Sequence, residues 1–66
     1  MKLLYSNEKI VNVYYDNERL PDVIKHCTIY YDEEHNLFVL DSTEMPRVTI
    51  VPRERVKKIK VISHED

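Results

Sequence analysis

His26 and Cys27 are adjacent, and a thiolate beside an imidazole base is the commonest route to a protein nucleophile. In a strand, neighbouring side chains point to opposite faces. If residues 22–31 are extended, the imidazole cannot reach the thiol. Cys27 then shares a face with Val23, Ile29 and Tyr31 and reads as a small core residue. His26, His35 and His64 raise zinc as a second chemistry, but their spacing from Cys27 matches no common ligand pattern, and with one cysteine there is no Cys-x-x-Cys. Asp32-Glu33-Glu34, with Asp41 and Glu44 close by in sequence, raises calcium. Calcium loops alternate oxygen ligands around a sharp glycine turn, and this chain has no glycine. Catalytic, metal and cofactor-binding residues are therefore all unassigned, and an enzyme is not expected. A domain this small also leaves little room for a ligand pocket of about 300 Å³.

The basic residues Arg47, Arg53, Arg55, Lys57, Lys58 and Lys60 form the strongest candidate site. Phosphate contacts need several cations on one face, and base stacking needs exposed aromatics. Strand parity turns Tyr14 and Tyr30 away from the core, as stacking platforms or protein anchors, and places Lys58 and Lys60 together on an outer face. The formal charge of −2 conceals an acidic body, with nine acids and four bases in residues 1–46, and a basic end, with six bases and three acids in residues 47–66. Such asymmetry steers partners. The pI near 5.9 argues against a dedicated nucleic-acid domain. Charge on a closing strand also deters edge-to-edge aggregation without binding anything.

Leu37-Phe38-Val39-Leu40 is apolar on both faces. A small barrel cannot cover every outward apolar group, so Phe38, Leu40 and Ile62 are candidates for a leftover patch. Patches of this kind mark partner or self-association surfaces. A homo-oligomer would also help so short a chain to fold.

The elements that must position these groups follow from composition. The 66 residues lack Gly, Ala and Gln, whereas Val and Ile together number 14, with five Tyr. Ala and Gln are favoured in helices, and β-branched and aromatic residues in strands. Without glycine, turns fall to Asn, Asp and Pro. One cysteine excludes an internal disulfide. An absence of long apolar runs predicts a cytoplasmic protein that does not enter membranes.

Along the chain, 1–5 is a leading strand or a mobile arm, and Ser6-Asn7-Glu8 reads as a turn. Lys9–Tyr15 is a strand with Val11, Val13 and Tyr15 on one face. Residues 16–21 form a loop. Residues 22–31 make a strand bent near Lys25, although Leu20, Val23, Ile24 and Cys27 would also line a helix. Residues 32–36 form a hairpin turn, 37–40 a short strand and 41–46 a loop. Arg47–Val51 is a strand ended by Pro52. Residues 52–55 form one tight helical turn, and Lys57–Ile62 is the last strand, with a short helix from Arg53 as the alternative. Residues 63–66 are expected to fray. Residues 9–18 and 25–34 share five of ten identities, which we read as two strands ending alike, in tyrosines followed by an acidic turn.

The stretch Val51-Pro52-Arg53-Glu54-Arg55-Val56-Lys57-Lys58-Ile59 resembles the end of SH3-like and Sm-like barrels, in which a 3₁₀ turn leads into the closing strand. That resemblance implies a fold and no function. The sequence thus predicts one all-β domain over residues 1–66, a small five- or six-stranded barrel of SH3-like or Sm-like type with a 3₁₀ turn before its last strand. Its expected function is a non-catalytic interaction module: a regulator, adaptor or inhibitor docking on a protein partner, or on itself. RNA or single-stranded DNA is the alternative partner. The residues expected to make contact are Tyr14, Tyr30, Phe38, Arg53, Arg55, Lys57, Lys58 and Lys60.

Overall fold

The β-branched and tyrosine-rich segments form five strands in a computed structural model that describes residues 1–62. They are β1 (Lys2–Tyr15), β2 (Asp22–Asp32), β3 (Leu37–Ser42), β4 (Thr49–Pro52) and β5 (Val56–Ile62), with a 3₁₀ turn at Arg53–Arg55 between the last two. All pairings are antiparallel, in the order β4-β3-β2-β1-β5, and the sheet curls into a half-barrel. The helical alternatives for 20–27 and from Arg53 onward do not occur. The fraying expected of 63–66, and with it His64, lies outside the described residues.

β1 serves both halves of the curled sheet. Its first half pairs with the end of β2, through Lys2↔Tyr31 and Tyr5↔Ile29. Its second half lies between β2 and β5, through Val11↔Ile24 and Val11↔Val61. The turn expected at Ser6-Asn7-Glu8 is instead an irregularity inside this strand. Register slips between Leu3 and Tyr5 and again between Tyr5 and Glu8. Asn7 takes the left-handed region, with φ of 50°, and its N–H donates to Thr28 Oγ1 at 2.9 Å. An extra residue at a bulge bends a strand and tightens its twist. The same sequence signal that reads as a turn therefore curls the sheet.

A second left-handed residue, His26 with φ of 53°, lies in β2. It changes which side chains face inward. Ile24 and Cys27, three apart, are both buried, while Lys25 and His26 between them are exposed. Strict alternation would pair Cys27 with Val23, but Val23 is 59% exposed. Val23 is thus an outward residue, contrary to expectation, because the kink at His26 shifts the alternation by one. Beyond the kink, Ile29 is buried and Tyr31 packs on Phe38 at a ring separation of 5.1 Å.

The core comprises Val11, Val13, Ile24, Cys27, Ile29, Leu40 and Val51, with Tyr15, Phe38, Met45, Val56, Ile59 and Val61 packed against it. Leu40 is fully buried, so it cannot belong to an exposed patch. Its neighbour Val39 faces outward. Phe38 is half-buried and faces the core side, as its pairing with inward Val51 and Tyr31 requires. Ile62 does remain partly exposed.

The connections are held by polar contacts suited to a chain without glycine. Asn36 closes the β2–β3 turn in the left-handed region, with φ of 52°, and accepts from the Tyr31 hydroxyl at 3.0 Å through Oδ1. Its carbonyl accepts from the Arg53 N–H at 2.9 Å, which ties the 3₁₀ turn to that hairpin. The buried Ser42 hydroxyl donates to the Lys25 carbonyl and accepts from the Glu44 N–H at 3.1 Å. Pro52 closes β4, as expected of a residue that cannot donate to a ladder. The strand begins at Thr49 rather than Arg47.

Candidate functional site

In an antiparallel pair, directly opposed residues share a face of the sheet. Because Ile29, Leu40 and Val51 are inside, Tyr30, Val39 and Ile50 are outside. Register aligns them, with Leu3, into one row across four strands: Leu3↔Tyr30, Tyr30↔Val39 and Val39↔Ile50. Leu3 is 53% and Ile50 61% exposed, and Tyr30 and Val39 between them are half-buried. Three strand spacings give the row a length of about 14 Å. Polar groups rim it. Thr28 opposes Asp41 on one side, and on the other Asp32 opposes Leu37, which carries the apolar surface two residues further along β3. Of these four apolar residues, the sequence singled out only Tyr30. Leu3, Val39 and Ile50 were legible only after the register was known.

The basic residues do not gather into one patch. Arg53, Lys57 and Lys58 line a cleft of about 310 Å³ together with Leu4, Tyr5, Phe38, Val56 and Ile59. Arg55 turns elsewhere, its guanidinium 6.0 Å from the ring centre of Tyr15, beside Asp16, Glu18 and Glu54. Lys60 stands opposite Asn12 on the outer face. Lys58 stands opposite Tyr14 and holds its ammonium 4.8 Å from that ring centre. At an exposed site this cation–π contact contributes about 0.5–1 kcal/mol. One face of the Tyr14 ring is thereby occupied. The structure thus brings Phe38, Arg53, Lys57 and Lys58 to one cleft, sets Tyr14, Lys58 and Lys60 on one outer face as strand parity predicts, and places Tyr30 and Arg55 elsewhere.

The reactive candidates are accounted for by packing. Cys27 is fully buried and its thiol lies 3.7 Å from the Thr28 carbonyl oxygen. Burial above all pushes the thiol pKa up, with a smaller rise from the Asp41 charge. A thiol held protonated is a poor nucleophile. His26 lies on the surface, its Nε2 3.8 Å from Glu44. Tyr15 has a raised pKa, first from burial and then from the Asp22 carboxylate beside it.

Asp32, Glu34 and His35 place one ligand atom each within 4.8 Å of one another. The Asp32 carboxylate already works within its own turn. It accepts from the Glu34 N–H at 3.1 Å and the His35 N–H at 3.3 Å, and lies 2.9 Å from His35 Nδ1. The His35 side-chain contact is the main reason its pKa is lowered. This cluster is a folded turn.

Surface clefts of about 470 Å³, at Met1, Lys2 and 32–34, and about 430 Å³, at 35–36 and 52–54, accompany the one already described. All three are shallow surface concavities open to solvent. None of the described helices is long and apolar enough to cross a membrane. No family model, curated protein or solved structure compared with the chain matches it.

Proposed function

We propose that the protein is a non-catalytic interaction module that docks on a protein partner through the outer row Leu3–Tyr30–Val39–Ile50. The observation that carries this reading is the register itself, which lines up four apolar side chains on the solvent face. Solvent faces of antiparallel sheets ordinarily carry polar residues. A contiguous apolar strip with a polar rim matches the anatomy of a protein interface, and a tyrosine at its centre matches the residue type most often found as an anchor. A regulator, adaptor or inhibitor of a larger protein fits so small a scaffold. We read the fold as SH3-like or Sm-like on the strength of the 3₁₀ turn that feeds β5.

The nucleic-acid alternative has less support. Of the two tyrosines proposed to stack bases, Tyr14 carries Lys58 on its ring and Tyr30 stands in the apolar row. The test compares affinity capture by the wild-type chain with capture by Leu3→Asp/Ile50→Asp, followed by reconstitution with the purified partner. The expected outcome is a partner held by the wild type and lost by the folded double variant. Equal capture by both would remove the row from the function.

A further inference from the structure

Among the described residues, β5 is an edge strand whose one ladder partner is β1. The cleft beside it is lined by four consecutive β5 residues, Val56, Lys57, Lys58 and Ile59. Consecutive strand residues point to opposite faces. The register with β1 slips at Lys57, so alternation breaks there, and the cleft lies between β5 and Phe38 of β3, a strand with which β5 does not pair. Its far wall is Leu4, Tyr5 and Phe38, and Arg53 stands at one end. Tyr5 and Leu4 are each about two-fifths exposed. Arg53 and Lys57 thus border a shallow apolar floor beside an edge strand, with Lys58, whose ammonium lies 4.8 Å from the Tyr14 ring centre, at its margin.

We infer that this cleft binds an extended acidic peptide segment, added as a strand along β5, with one apolar side chain on the Tyr5–Phe38–Ile59 floor and carboxylates on Arg53, Lys57 and Lys58. Edge strands are templates for strand addition, with backbone hydrogen bonds supplying affinity and pockets supplying selectivity. The charge of the rim selects an anionic occupant. Its short extent selects a peptide over a nucleic acid, since acids lie on the adjoining surface, with Glu54 next to Arg53 at the end of the cleft. Asp16, Glu18 and Glu54 flank Arg55, and Asp32, Glu33 and Glu34 form the neighbouring turn. A polyphosphate strand carrying charge at every nucleotide would overrun into them. This cleft is separate from the outer row, so either site can fail without the other.

The test is fluorescence anisotropy of the full chain with labelled peptides, each bearing a central Leu, Ile, Phe or Tyr flanked by glutamates, at low and moderate salt. At least one peptide is expected to bind, more weakly as salt rises. Lys57→Glu/Lys58→Glu should weaken it by about tenfold or more, and Leu3→Asp/Ile50→Asp should leave it unchanged. Amide resonances of 56–59 should shift on binding. Where the charge reversal does not fold, Lys57→Gln/Lys58→Gln replaces it, with a smaller loss expected. Failure of every peptide to bind the folded chain at low salt would overturn the inference. So would affinity indifferent to the lysines, or tighter binding of labelled single-stranded RNA or DNA.

Discussion

Tyr30 of β2 stands directly opposite Val39 of β3 on the outer face of the sheet, while their sequence neighbours Ile29 and Leu40 oppose each other in the core. One pair of strands therefore carries the best-buried residues and the candidate docking row back to back.

That arrangement predicts a sharp contrast within β3. Leu40→Ala removes a fully buried side chain and should cost about 2–5 kcal/mol. Val39→Ala, half-buried on the outer face one residue away, should cost less, about 1 kcal/mol. Urea denaturation of the two variants checks this. Comparable losses would mean that β3 is turned the other way.

The kink at His26 gives an exposed residue a structural role. Its left-handed backbone disfavours β-branched side chains, so His26→Val should destabilise the fold by about 1–2 kcal/mol. His26→Asn should be nearly neutral, because asparagine tolerates that region. Thermal melts distinguish the two. Equal stability of both variants would show that the kink does not depend on residue type.

Buried Cys27 should be inert. In the native protein its thiol should react with a thiol reagent only as fast as the fold opens, and addition of urea should accelerate the reaction. Cys27→Ser should cost about 1–3 kcal/mol, the penalty for placing a hydroxyl in an apolar site. Rapid labelling under native conditions would contradict the packing described.

Asp32 supplies an acid-dependent contribution. Its folded pKa is lowered, chiefly by the His35 side chain, so the ionised form stabilises the native state. That stabilisation is present above the unfolded value of about 3.9 and disappears as pH falls through the lower folded value. Stability measured between neutral pH and pH 3 should fall less steeply in Asp32→Asn than in the wild type. Parallel pH profiles would remove Asp32 from the acid response.

Much of this architecture was legible in the residues. The β-branched runs gave the strands, Pro52 the end of β4, and Pro52–Arg55 the 3₁₀ turn. Asn36 took the left-handed turn position that the absence of glycine left open. Two of the errors share one physical source. Asn7 and His26 place left-handed residues inside strands, and each breaks the period-two rule that assigns faces. A turn was therefore expected where β1 merely bulges, and Val23 was placed inside when Ile24 is. Leu40 was misplaced for a different reason: a run apolar on both faces has no alternation to read. The candidate site was less legible because it depends on register. No spacing within one strand reveals that Leu3, Tyr30, Val39 and Ile50 align.

The most direct test of the docking row is photo-crosslinking in the cells that make the protein, with a photoreactive amino acid placed in turn at Val39, Ile50, Glu33 and Lys60. The account predicts one common protein adduct from positions 39 and 50 and none from 33 or 60. Adducts from Glu33 or Lys60 without any from Val39 and Ile50 would contradict it.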